Sequence, residues 1–150
     1  MHKIELVLPK AHQDISITPD VKKELTDVQR ELNDKSDRFA DGKVHFIISK
    51  GFYKHEKKIL RVASVIVNKT NKDIQGLKMN LAFKLKNYPS ATFPTMKGFL
   101  DKDFLGLIKH DQAFILHLEV PSEDLGNEDL VFQPHEMAGK VENLEYQFLK

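Results

Sequence analysis

Imidazole is the side chain most used to hold metals, and seven histidines stand at positions 2, 12, 45, 55, 110, 117 and 135. No two of them have the i,i+4 spacing that sets two ligands on one helix face, and no His-x-His occurs. His117 shares a strand face with Ala113, Ile115 and Glu119, where an imidazole also serves as a half-buried structural residue. His135-Glu136 falls in a loop. Asp101-Lys102-Asp103 resembles the opening of a calcium loop, with Gly106 at the sixth position. The ligand pattern then fails: Leu105 stands at the fifth position and Gln112 at the twelfth, where an oxygen ligand and a bidentate Glu are needed. No Rossmann or P-loop glycine pattern occurs, and no Ser sits in a nucleophile elbow. With no Cys, thiolate chemistry, thiolate zinc sites and disulfides are excluded. Paired carboxylates are defined by distance in space, and nothing singles out a pair. The expectation is a chain without catalytic residues or cofactor.

The distinctive patch is Lys50-Gly51-Phe52-Tyr53-Lys54-His55-Glu56-Lys57-Lys58. Its lysines can steer an acidic partner, a glycan or an anionic lipid, and its aromatics can supply contact area. Lys50, Phe52, Tyr53, Lys54, His55, Lys57 and Lys58 are therefore the expected interaction surface, at the tip of a β-hairpin. The competing reading is a solvated turn with its aromatics folded inward.

The surrounding elements must present that tip. Ile4–Leu8, ending at Pro9, reads as a first strand. Thr18-Pro19-Asp20 reads as a helix start: a capping hydroxyl, a proline at the first helical position, and an acid at the positive end of the dipole. Val21, Leu25, Val28 and Leu32 form one narrow apolar stripe, so the helix should lie on the body of the protein and stop near Asn33. From residue 43 the period becomes two. Strands are expected around Val44–Ile48, Leu60–Val67, Leu77–Leu85, Phe114–Val120 and Val141–Leu149, with one more short strand within Phe93–Leu107. Asn68–Asp73 and Asn87–Ser90 are turns, broken residues such as Pro94 mark a loop, and Ser122–Asp129 is an acidic loop. Six or seven strands without a βαβ rhythm predict a mostly β fold: an antiparallel β-sandwich with one N-terminal helix packed on it.

A length of 150 residues fits one domain, with a helical lead-in over about 1–42 and a sandwich over about 43–150. The balance of 23 basic against 22 acidic side chains argues against nucleic acid, whose binders carry a clear basic excess. No segment approaches the roughly 18 apolar residues of a spanning helix. The Met1–Glu5 opening lacks the apolar stretch of a signal peptide. The expected location is the cytoplasm, or the cell surface for a chain trimmed of its leader.

In layout, the stretch from Pro19 to Pro121 resembles the SLAP-type domain of bacterial S-layer assembly and accessory secretion proteins. The resemblance runs through Leu60–Asn68, where a strand ends in Asn before a turn, and through Phe99–Ile108. The Asn68-Lys69-Thr70 turn is also similar to that of extracellular sandwich modules. Residues 122–150 go beyond the family's usual end. The resemblance implies an Ig-like sandwich behind a helical lead-in, a role in export or assembly of cell-surface proteins, and no catalytic residues. The expected function is a non-enzymatic protein-interaction module, with homo-oligomerisation left open. The alternative is a carbohydrate- or ligand-binding sandwich, disfavoured by the absence of Trp and the presence of only three Tyr.

Overall fold

The computed structural model of the protein describes residues 4–12, 18–89, 91, 93, 95–122 and 125–148. Readings that touch Met1 to Lys3, Ser90, Pro94, Glu123, Asp124 and Leu149 lie outside them. The chain is mostly strand with one long helix, and its two sheets pack together. The strands are β1 (Glu5–Leu6), β2 (Val44–Lys54), β3 (Ile59–Asn68), β4 (Ile74–Leu85), β5 (Met96–Leu100), β6 (Gln112–Pro121), β7 (Leu130–Phe132) and β8 (Met137–Phe148). The long helix is α1 (Pro19–Lys35), and a single turn, α2 (Lys102–Leu105), follows β5.

One sheet has the order β1-β6-β3-β2-β7 and the other β5-β4-β8. All neighbours are antiparallel except β1 and β6, which run parallel. Alternation splits the five-stranded sheet into two apolar faces. Leu60, Val62 and Ile66 of β3, with Phe114, Leu116 and Val120 of β6, turn toward Leu77, Met79, Leu81 and Phe83 of β4 and form the core between the sheets. Val65, Val67, Ala113 and Ile115 turn the other way and meet Val28 and Leu32 of α1 in a second core. The layers are therefore helix, five-stranded sheet and three-stranded sheet. This is why β3 and β6 read as nearly continuous apolar runs, whereas β4 alternates cleanly between apolar and wet.

The helix forms as its sequence predicts. Thr18 accepts from the Val21 amide at 3.2 Å, and Pro19 opens the first turn. The helix runs two residues past Asn33, to Lys35, held at its end by Lys35 to Glu31 at 2.8 Å. Gln29 then does the work of a neighbouring strand. Its amide oxygen accepts from the Leu6 amide at 2.8 Å, and its amide nitrogen donates to the Ile4 carbonyl at 2.8 Å. The outer edge of β1 is thereby closed by one side chain.

Candidate functional site

The predicted hairpin exists, but its turn is shorter than the sequence suggests. β2 continues through Lys54, and only His55–Lys58 form the turn before β3. The register between β2 and β3 slips by one residue between Ile48 and Lys50. This bulge inverts the facing of everything after it. Before it, Val44, Phe46 and Ile48 face the sandwich core; after it, Gly51 and Tyr53 do.

Tyr53 is accordingly not part of any contact surface. It is wholly buried, and its hydroxyl donates to the Gly126 carbonyl at 3.0 Å. The expectation of an exposed Tyr53 is corrected, and the inward reading holds for this aromatic alone. The same bulge turns Lys50, Phe52 and Lys54 to the opposite face, where they lie beside Ala63, Arg61 and Ile59 of β3. Phe52 is half-buried, and the Lys50 ammonium stands 5.0 Å from the centre of its ring. Arg61, directly across from Phe52, is exposed. Its β6 neighbour Glu119 is exposed as well.

The remaining predicted residues divide again. Lys57 and Lys58 are exposed in the turn, with Lys58 at φ 52°. His55 is anchored on Asp129, which accepts from its backbone amide at 3.0 Å and lies 2.6 Å from its ring nitrogen Nδ1. Lys54 reaches the same carboxylate at 3.9 Å. The His55 amide, then its ring, hold the Asp129 carboxyl below the usual carboxylate range. The acidic loop before β7 thus ties down one side of the hairpin.

The platform of Lys50, Phe52, Lys54 and Arg61 is bordered by the first turns of α1. There His117 Nε2 stands 2.9 Å from Glu24 Oε1 and bridges strand to helix. The hydrogen bond from His117 lowers the Glu24 pKa; burial opposes it, and the charges of His117, Arg61 and Lys50 add to it. A shallow cleft of about 180 Å³ runs between the two, lined by Asp20, Val21, Glu24, Phe52, Arg61 and His117. The sequence places His117 on one strand face with Ala113, Ile115 and Glu119 but does not single out its carboxylate, because Glu24 is one of several charged residues on α1.

The Asp101 segment and several of the remaining histidines make structural contacts. Asp101 caps α2, accepting from the Phe104 amide at 3.0 Å, and Gly106 takes the left-handed position that ends it at φ 68°. The calcium-like spacing is a helix cap. His110 sits with Lys69, Asp41 and Asp111 at the β3–β4 turn. The Asn71 amide donates to His110 Nδ1 at 3.0 Å, which leaves Nε2 to face Asp111 at 3.3 Å. His45 bonds the Ala40 carbonyl at 2.8 Å, and His12 packs edge-on against Phe104. His135 lies exposed in the turn before β8. Among the described residues, no three His, Asp or Glu side chains gather as metal ligands would, and no helix is long and apolar enough to cross a membrane. Compared with known proteins, the chain matches no family model, no curated protein and no solved structure.

Proposed function

We propose that this chain is a non-enzymatic protein-interaction module that docks an acidic segment of another protein on the platform around Phe52. One observation carries the reading: a half-exposed aromatic stands among Lys50, Lys54 and Arg61 on a stretch of sheet that α1 leaves uncovered. Cations around an aromatic suit carboxylates with an apolar neighbour. Lys57 and Lys58 extend the positive rim at the turn. Glu24, Asp20 and Glu119 border it and would repel a segment laid in the wrong place. An Ig-like ancestry and service in secretion or assembly of bacterial cell-surface proteins rest on the layout resemblance to the SLAP-type domain.

The test is affinity capture from source-cell lysate, followed by titration of the purified partner against wild type, Phe52→Ala and Lys50→Glu/Arg61→Glu. Loss of the aromatic anchor should weaken binding by roughly tenfold or more. The charge reversal should also flatten the salt dependence. A partner that binds all three proteins equally, or binding only to glycans, removes the platform from the account.

A further inference from the structure

We propose that β8 pairs antiparallel with the β8 of a second copy of this chain, about a twofold axis at Val141. β8 is 12 residues long, pairs regularly with β4 from Met137 to Glu142 before its register shifts, and among the described residues no strand is hydrogen-bonded to its other edge. The other sheet edges are blunted: β1 is two residues long and closed by Gln29, β7 has three residues, and β5 has five. A long unpaired edge is a template for another strand.

Charges on an edge ordinarily deter pairing, and β8 carries Lys140 and Glu142 on its outer face, with side chains 76% and 48% exposed. Within one chain they lie 3.3 Å apart, an exposed pair that contributes little by itself. Their spacing of two instead selects a register. In a twofold antiparallel pair centred on Val141, Lys140 of each copy stands directly opposite Glu142 of the other, twice by symmetry. Centring the pair on Lys140 or on Glu142 sets like charges face to face. The favoured register also brings Val141, half-buried at the rim of the core, against its own copy. The charges thus favour the Val141 register over those centred on its two neighbours. This surface is on the sheet opposite the Phe52 platform, so either proposal can fail without the other.

Sedimentation velocity over a concentration series tests it on the full chain. Wild type should show a reversible monomer–dimer equilibrium. Lys140→Glu and Glu142→Lys, each alone, should weaken dimerisation roughly tenfold. The double exchange Lys140→Glu/Glu142→Lys should return it to near the wild-type value, because the register then holds the same pair reversed. Circular dichroism checks that each variant is folded. A wild type that stays monomeric at every concentration overturns the proposal. So does a dimer indifferent to the single changes, or a double variant no better than either single.

Discussion

Glu24 and His117 meet across the gap between α1 and β6, and each side chain keeps about a third of its surface in water. The folded-state pKa of Glu24 lies below its ordinary value of 4.5. Its contribution to stability is therefore present above the unfolded pKa and is lost as pH falls through the lower folded value. Exposure keeps it below about 1 kcal/mol. Glu24→Gln should cost little at neutral pH and should flatten the acid limb below about pH 4.5, measured by urea midpoints across that range. Asn68 is the opposite case, a buried amide with every group used. Its nitrogen donates to the Lys72 and Ile108 carbonyls at 2.9 Å, and its oxygen accepts from the Thr70 amide at 3.0 Å and the Thr70 hydroxyl at 2.7 Å. Asn68→Ala leaves the Thr70 amide without its partner and removes one of two donors from the Ile108 and Lys72 carbonyls, and should destabilise the fold by about 1–3 kcal/mol in equilibrium unfolding. The residue was legible as the Asn that ends a strand; that it also ties Ile108 to the turn is a contact 40 residues away.

Among the elements, the β2 bulge is the feature that separates the half-exposed Phe52 face from the core. Were Ser49 paired in turn rather than bulged out, the alternation of Val44, Phe46 and Ile48 would carry Phe52 inward and Tyr53 outward. Deleting Ser49 removes the unpaired residue and sets Lys50, still opposite Ala63, directly after Ile48, so Tyr53 should stay inward and the protein should keep cooperative unfolding with a loss of no more than about 1–2 kcal/mol in urea titration. The seam between β2 and β8 is held equally closely. A Cβ on Gly139 would sit 2.7 Å from Ile48 Cδ1 and 3.3 Å from Phe46 Cε1. Gly139→Ala should cost about 1–3 kcal/mol by overpacking, read as a lower melting temperature. Strand β3 was legible as an apolar run, and β4 and β6 by apolar residues at every second position. β7 was not, since three residues carry no period. The start of β8 was missed because Ala138-Gly139-Lys140 breaks the apolar alternation that resumes at Val141.

At the scale of the molecule, two cores share the central strands β3 and β6. Loosening one must reach the other through those strands, so the helix and the sandwich should unfold together. Leu32 is fully buried between α1 and the sheet. Leu32→Ala should cost about 2–5 kcal/mol. It should shift the helical circular-dichroism signal and the tyrosine fluorescence of this Trp-free chain to the same lower urea midpoint. Separate transitions for the two probes would show that α1 is an appendage rather than a layer.

By itself the sequence determined what local physics can determine. Thr18 and Pro19 place the start of α1, two-residue periods place the central strands, and the absence of Cys removes thiolate chemistry. Only the tertiary structure decided which face each residue serves and who meets whom. The bulge that separates Phe52 from Tyr53, the Gln29 amide that closes β1, the parallel pairing of β1 with β6 and the Glu24–His117 bridge all join residues far apart in the chain or depend on register. Their energies come from contacts that exist only once the layers are packed, and no local period encodes them.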